Sequence, residues 1–294
     1  MRLTNIFLRN KMITFFTTPK AFHGHIGVIQ TNAINSWSYL KPKPEIFLVG
    51  NDEGITDHVN RLDLKHLSLS TTVPILDELF DKVREAASYP YLCFINSDII
   101  LLDDFMPTFE KVSGKFDKFL MISSRWNLDI ETILSLENEE ARNQLRYQAT
   151  QKHDMYPAAG SDFFVFNKEM YSGMPPFMKG RGFYDNWLIC QAKKEKAKVI
   201  DTTSDIIAVH QNHDYAHIQG MTEQNRTINY ARIEQGKQNL KLAGGQKNIY
   251  TNYDADYVLV NGRFYSCWNI KFIFRRLKSS IRRLRKIFEA TRGE

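Results

Sequence analysis

The sequence has few cysteines and no long apolar run. Its three cysteines, Cys93, Cys190 and Cys267, lie far apart in a chain of 294 residues. This spacing suits neither a disulfide framework nor a zinc site and is typical of a protein from a reducing compartment. No stretch reaches the roughly 18 to 20 apolar residues that cross a bilayer, and the first eleven residues hold no apolar segment of signal-peptide length. We therefore expect a cytoplasmic protein.

Most of the chain has no net positive charge. The net charge is +6, but residues 271–294 hold nine Lys or Arg and two Glu and contribute +7. Residues 1–270 therefore carry −1 in total. This distribution does not support a nucleic-acid-binding surface over the whole protein. The chain also lacks internal repeats and low-complexity segments, and it is long enough to bury one large core.

The basic C-terminal segment has the pattern of an amphipathic helix. Its apolar residues recur at spacings of three, four and seven, and arginine and lysine fill positions between them. These apolar residues are Ile270, Ile273, Phe274, Leu277, Ile281, Leu284 and Phe288. An apolar stripe beside a cationic face suits an anionic membrane surface, which we expect residues 270–288 to bind. A helix packed on the rest of the protein or on another subunit is the alternative.

Strand and helix patterns alternate along the chain. Apolar runs predict strands at 12–18, 45–49, 66–67, 91–95, 119–126, 161–166, 199–201 and 206–209. Helical spacing separates the first four, which predicts an α/β fold with a mostly parallel central sheet and right-handed crossovers. Residues 222–243 have the pattern of one helix. Asn261-Gly262, the preferred two-residue hairpin turn, predicts a hairpin over 257–265.

One predicted strand runs directly into a polar triplet. Residues 91–95 are continuously apolar, which predicts burial on both faces, and Asn96, Ser97 and Asp98 follow. Ligands of open α/β sheets bind just beyond the carboxyl ends of the strands. Oxygen-bearing Asn96 and Asp98 side chains at that edge suit a hard divalent cation that carries a phosphorylated ligand. An ordinary polar turn is the alternative.

Taken in order, several motifs resemble those of GT-A-fold glycosyltransferases, the nucleotide-diphospho-sugar transferase superfamily. They are T-F-F-T-T-P-K at 14–20, V-G-N-D-E-G at 49–54, N-S-D at 96–98, S-R-W-N-L-D-I at 124–130, G-S-D-F-F at 160–164, D-N-W at 185–187 and H-Q-N-H-D-Y at 210–215. Their order and spacing over about residues 12–260 carry the resemblance. It implies a Rossmann-like GT-A catalytic domain over 1–217, an acceptor-side helix and hairpin extension over 218–268, and a basic tail helix over 269–294.

The resemblance implies a divalent metal, Mn²⁺ or Mg²⁺, held against the donor diphosphate by an Asp-x-Asp motif. Asn96 replaces the first acid and brings no charge, so the metal would rest on Asp98 and a later histidine, His210 or His213. A structural role is the alternative for each histidine. Asp185 matches by position the catalytic base of inverting members, and its alternative role is to cap a helix.

The resemblance also implies a donor site across the first two strands and an acceptor site beside it. The residues implied to bind the nucleotide part of the donor are Phe16, Thr17, Thr18, Asp52, Glu53, Asn96, Ser97 and Arg125. Those implied to bind the acceptor or a sugar are Asp162, Trp126, Asn186 and Trp187. Exposed polar side chains and aromatic core packing are the alternatives.

We therefore expect an enzyme. The resemblance implies a metal-dependent glycosyltransferase of the hexosyl-transferring type, with inversion favoured. It would move a sugar from a nucleotide donor, with a UDP-sugar favoured, to a glycan or lipid-linked acceptor in surface polysaccharide or glycoconjugate synthesis. One alternative is a sugar nucleotidyltransferase, whose first loop is usually Gly-rich and basic, whereas residues 18–24 hold one Gly and one Lys. The other alternative is a non-catalytic sugar- or membrane-binding module. It stays possible because Asn96 replaces an acidic residue of the metal-binding motif.

Overall fold

The computed structural model describes residues 12–152, 154–155, 161–213 and 230–268, together with positions 273, 274, 277, 280, 281 and 285. Its strands are β1 (Ile13–Thr17), β2 (Glu45–Val49), β3 (Lys65–Leu67), β4 (Tyr91–Ile95), β5 (Ile99–Ile100), β6 (Phe119–Ile122), β7 (Trp126–Leu128), β8 (Phe163–Asn167), β9 (Lys198–Asp201), β10 (Val209–Gln211), β11 (Tyr257–Val260) and β12 (Arg263–Ser266). Its α-helices are α1 (Gly24–Tyr39), α2 (Ile55–Leu62), α3 (Leu76–Ala86), α4 (Phe105–Ser113), α5 (Glu139–Lys152), α6 (Tyr184–Lys194) and α7 (Glu234–Leu242).

Nine of the described strands form one sheet in the order β12-β11-β9-β6-β8-β4-β1-β2-β3. Parallel pairing joins β3 to β2, β2 to β1, β1 to β4, β6 to β9 and β9 to β11. Strand β8 runs antiparallel to both of its neighbours, and β12 runs antiparallel to β11. Most pairs are parallel, so the predicted α/β fold with a mostly parallel sheet is confirmed.

The central strands are buried on both faces because their side chains alternate between two cores. Phe16 of β1 and Phe94 of β4 pack into the core that α3 and α6 cover. Phe15 and Cys93, their neighbours in sequence, pack into the core under α1 and α4. The sheet is therefore the middle layer of three, and the continuous apolar runs of β1 and β4 follow from this double burial.

A second, three-stranded sheet has the order β5-β10-β7. Strand β10 pairs antiparallel with β5 and parallel with β7, and α5 packs against this sheet through Leu145 and Ala149. The prediction of one strand over 119–126 is wrong, because β6 ends at Ile122 and β7 begins at Trp126 in the other sheet. The chain changes partners between them: the Ile122 carbonyl accepts from Thr202, whereas the Trp126 N–H donates to Ala208.

The C-terminal part extends the main sheet through the predicted hairpin. Asn261 and Gly262 both have positive φ, 48° and 72°, as the two-residue turn between β11 and β12 requires. The prediction of one helix over 222–243 is wrong in its described part, because extended Ile233 separates a 3₁₀ turn from α7. The predicted domain boundary at 217/218 lies outside the described residues.

The described positions of the C-terminal tail are helical. Three apolar side chains there are exposed: Phe274 by 75%, Leu277 by 50% and Ile281 by 64%. Their spacing of three and four residues places them on one helix face. Among the helices of the described residues, none has the length and apolar character needed to cross a membrane.

Candidate metal and donor site

Asp98 and His210 come together because β5 begins directly after Asp98 and pairs with β10. The register sets His210 against the first residue of β5. Gln211 reinforces this contact, since its backbone N–H and its side-chain amide each donate to the Asp98 carbonyl oxygen at 3.2 Å. The same amide donates to Ile29 of α1 at 2.7 Å and accepts from Asn32 at 3.0 Å. Asp98 is thus fixed by β10 and α1 together.

Asp98, His210 and His213 form a cluster that fits a divalent cation. Asp98 Oδ2 lies 3.3 Å from His213 Nε2 and 3.6 Å from His210 Nε2, and one ligand atom from each residue falls within a 4.8 Å group. In the part of the chain that the structure describes, Asp98 Oδ1 and His210 Nδ1 are buried without a hydrogen-bond partner. Buried polar atoms normally have a partner, so this pair of atoms indicates a ligand.

The electrostatics hold these groups in metal-binding form. Burial lowers the pKa of His210 to about 4, and the charge of Asp98 offsets this only in part. Burial works to raise the pKa of Asp98, but His210, His213 and Arg125 outweigh it and hold that pKa well below its usual range. A neutral imidazole and an ionised carboxylate are the species that coordinate metals. Both are therefore present at neutral pH.

Asn96, which stands in place of the first acid, hydrogen bonds to Asp162. Its Nδ2 donates to Asp162 Oδ1 at 2.9 Å, and its backbone N–H donates to the Asp162 carbonyl at 2.9 Å. Arg125 donates to the same Oδ1 at 2.7 Å, and both partners of this ion pair are largely buried. The predicted Asn96, Arg125 and Asp162 thus form one connected group, in which Asp162 is ion-paired with Arg125.

Ser97 is tied to the loop after β1. Its hydroxyl donates to Gln30 Oε1 at 3.2 Å. The buried Gln30 side chain also accepts from the Lys20 N–H at 2.7 Å and donates to the Lys20 carbonyl at 2.9 Å. The polar triplet after β4 and the loop after β1 therefore hold each other in place.

Asp185 occupies the first turn of α6. The alternative that Asp185 caps this helix is wrong, because the cap residue is Phe183, which has φ 68° and makes no side-chain capping bond. Burial raises the pKa of Asp185 to about 6, and the charge of Asp162 adds to this, while backbone N–H groups of the first turn oppose it. Asp185 therefore lies close enough to Asp162 for the charge of Asp162 to raise its pKa.

Two residues predicted to bind sugar make structural contacts. Asn186 Nδ2 donates to the Tyr250 carbonyl at 2.6 Å. Trp187 is 8% exposed and packs against Phe177 and Tyr171, with ring centroids 5.5 and 5.9 Å away. Neither set of contacts supports the sugar-binding prediction. Trp126, by contrast, is partly exposed at the start of β7.

The residues predicted to bind the nucleoside lie in different surroundings. Phe16 is fully buried in the aromatic core. The Thr17 hydroxyl is buried and has no hydrogen-bond partner among the described residues, whereas the Thr18 carbonyl accepts from Lys179. Asp52 and Glu53 are exposed after β2, and Glu53 lies 3.1 Å from His23. Sequence reasoning missed Gln30, Gln211 and Lys179, since a lone amide or lysine in a loop carries no pattern. These three side chains connect α1 and the loop after β1 to the rest of the site.

The sheet order is that of a GT-A fold, and similarity to a solved structure confirms the predicted fold class. TarS from S. aureus, in complex with UDP-GlcNAc, aligns with 83% of this chain and 67% of its own at 11% identity and a TM-score of 0.50. The structure of glucosyl-3-phosphoglycerate synthase from Mycobacterium tuberculosis, with Mn²⁺, UDP and phosphoglyceric acid, aligns over 80% of this chain and 78% of the synthase chain, at 14% identity and a TM-score of 0.47. The structure of the mannosyltransferase PcManGT from Pyrobaculum calidifontis, with GDP-Man and Mn²⁺, aligns over 69% of this chain and 57% of the PcManGT chain, at 12% identity and a TM-score of 0.43.

Coverage and identity limit these similarities to the fold. The chain spans 58% of another structure of TarS 1–349 and 35% of a longer TarS chain. No family model matches the sequence. No curated protein matches it either.

Proposed function

We propose that this protein is a metal-dependent, inverting glycosyltransferase of the hexosyl-transferring type. It takes a sugar from a nucleotide donor, with a UDP-sugar favoured, and transfers it to a glycan or lipid-linked acceptor. The observation that carries the proposal is the cluster of Asp98, His210 and His213, whose ligand atoms lie within 4.8 Å of one another, and two carboxylates nearby have opposite properties. Asp98 is ionised beside two histidines, and Asp185 has a pKa raised to about 6. The UDP-GlcNAc in the TarS structure supports a UDP-sugar donor.

Asp98, His210 and His213 would hold the metal. When bound, the cation would stabilise the negative charge that develops on the departing diphosphate. We favour Mn²⁺ over Mg²⁺, because two of the three ligands are imidazoles and Mg²⁺ prefers oxygen ligands. Asn96 contributes indirectly, since it orients Asp162 rather than supplying charge.

Asp185 would act as the base. Its carboxylate accepts the proton of the acceptor hydroxyl while the acceptor oxygen forms a bond to the anomeric carbon of the donor. The bond from that carbon to the phosphate oxygen breaks on the opposite face, and the electron pair leaves with the nucleoside diphosphate. A base with a pKa near 6 is ionised at pH 7 and still basic enough to assist. Asp162, fixed by Arg125 and Asn96, would bind a sugar hydroxyl.

The experiment that tests this function is a screen of nucleotide sugars for donor hydrolysis with Mn²⁺, combined with calorimetry of UDP binding with and without the metal. We expect hydrolysis of one donor and UDP binding that depends on Mn²⁺. Metal-independent UDP binding without hydrolysis would favour a binding module. Release of pyrophosphate from a sugar phosphate and a nucleoside triphosphate would instead identify a nucleotidyltransferase.

We further propose that the tail binds an anionic membrane surface, which would place the enzyme in surface polysaccharide or glycoconjugate synthesis. The exposed Phe274, Leu277 and Ile281 and the basic residues between them support this. Deletion of residues 270–294 should abolish binding to phosphatidylglycerol vesicles and preserve donor hydrolysis.

A triple serine substitution of Phe274, Leu277 and Ile281 is the matched variant, because it keeps every charge of the tail. It should weaken vesicle binding if the apolar face inserts into the membrane. Vesicle binding that survives the deletion would contradict the proposal. Vesicles of neutral phosphatidylcholine, which the protein should not bind, serve as the control.

A further inference from the structure

The segment before α6 is held from two sides. The Lys179 N–H donates to the Pro74 carbonyl at 3.0 Å. The buried Asn239 side chain of α7 accepts from the Met178 N–H at 3.1 Å and donates to the carbonyls of Met178 and Gly182 at 2.9 and 3.0 Å. The backbone that carries Lys179 is therefore fixed on both sides, and its side chain starts from a defined position.

The ammonium group of Lys179 lies at the carboxyl edge of the main sheet. Nζ donates to the Thr18 carbonyl, just after β1, at 3.0 Å. It lies 6.0 Å from the ring centroid of Phe94 in β4, the strand that leads to Asp98. Asp98 is close enough to raise the pKa of Lys179. The lysine thus reaches the edge of the two adjacent strands where the metal cluster stands.

This cation is partly buried and has no carboxylate partner among the described residues. No Asp or Glu side chain of the described residues forms an ion pair with Lys179, in contrast to Arg125 with Asp162 and Lys193 with Asp256. Burial lowers the pKa of Lys179 to about 8, which Asp98 only partly offsets. Removing part of a charge from water without supplying an opposite charge is costly, so such a group indicates an anionic ligand.

We propose that Lys179 binds the diphosphate of the nucleotide-sugar donor, opposite the metal cluster. This inference rests on the proposed function. The diphosphate of such a donor carries two negative charges, and a divalent cation held by one carboxylate leaves a surplus of only one positive charge to meet them. An ammonium group has three protons, of which the Thr18 bond uses one. Lysine binds phosphate as a point charge and would also stabilise the nucleoside diphosphate as it leaves.

Calorimetry of UDP and of uridine with Mn²⁺ tests the proposal, because only UDP carries phosphate. The Lys179→Met variant should bind UDP about ten- to a hundredfold more weakly and uridine as the wild type does. Lys179→Arg should recover most of the UDP affinity. Lys168→Met is the matched control, since Lys168 is also partly buried and also donates to one backbone carbonyl, that of Ala87, at 2.7 Å. The control should bind both probes normally.

The outcomes separate the two proposals. Normal UDP binding by Lys179→Met, or an equal loss for UDP and uridine, would overturn the role of Lys179 and leave the proposed function standing. A wild-type protein that binds neither UDP nor GDP would overturn both. If Lys179→Met does not fold by circular dichroism, Lys179→Gln replaces it, because glutamine removes the charge and keeps a donor for the Thr18 carbonyl. The same selective loss for UDP is then expected.

Discussion

The neighbourhoods of Asp98 and Asp185 differ in the charges that surround them. Asp98 faces two histidines and Arg125, and its pKa is held low despite burial. Asp185 lies at the start of α6 with the charge of Asp162 nearby, and burial raises its pKa to about 6. One sheet edge thus holds a permanent anion and a carboxylate that can take up a proton. Environment, rather than residue type, assigns the two roles.

The strongest test of this comparison is Asp98→Ala. Without the anion, the metal cluster keeps only two imidazoles, so Mn²⁺-dependent UDP binding should be lost and turnover should fall at least about a thousandfold. Calorimetry and a donor hydrolysis assay measure the two effects. Asp103→Ala is the control, because Asp103 is an exposed carboxylate paired with Arg142 on the surface. Retention of metal-dependent binding in Asp98→Ala would remove Asp98 from the metal site.

The second test, Asp185→Asn, should separate chemistry from binding. The amide cannot accept the proton of the acceptor hydroxyl, so turnover should fall at least about a hundredfold while the affinity for UDP stays unchanged. Steady-state kinetics and calorimetry on the same preparation provide both numbers. Near-normal turnover would exclude Asp185 as the base.

The pH dependence should sharpen the contrast. A base must be ionised to act, and the pKa of Asp185 is about 6. Transfer should therefore be full above pH 7 and fall about tenfold per pH unit below pH 6. The residual activity of Asp185→Asn should lack this acid limb. A wild-type profile that stays flat between pH 5 and 7 would contradict the assignment.

The smallest expected effect of Asp185→Asn is on stability. Whereas this substitution should lower activity, it should raise stability. A raised pKa means that the folded state disfavours the ionised carboxylate, so Asp185 costs stability above its unfolded pKa of about 4. Asp185→Asn should therefore raise the free energy of unfolding at pH 7 by about 1–2 kcal/mol. The gain should vanish near pH 3, where the carboxyl is protonated in both states. Urea unfolding at the two pH values measures it, and an equal gain at both would point to packing instead.

The main sheet could be predicted from the sequence because its central strands are apolar runs buried on both faces. The runs at β1, β2 and β4 need no partner to be identified, and the Asn-Gly turn identifies β11 and β12. The sequence does not indicate that β5, β7 and β10 form a separate sheet. Its strands have two or three residues, which is too short for any periodicity, and their pairing depends on contacts between distant parts of the chain.

The candidate site was predictable where residues follow strand ends. Asp98, His210 and His213 were expected at one edge, and the structure brings them together, although their binding of a metal stays a prediction. The partners of polar side chains were not predictable. Nothing in the sequence indicates that Asn96 donates to Asp162 or that Lys179 reaches Thr18 across 161 positions. Trp187 is another example, because its motif does not reveal that the ring packs against Phe177 in the core.

The Gln211 side chain has a consequence for the order of folding. It bonds to Ile29, 182 positions earlier in the chain, and to Asp98, 113 positions earlier. Closing such long loops has an entropic cost, and the residues that close them leave the ribosome far apart in time. The metal pocket therefore cannot be completed on a nascent chain that has emerged only as far as β9. Cation affinity would then report on the docking of β10 and distinguish molecules that have made this contact from compact ones that have not.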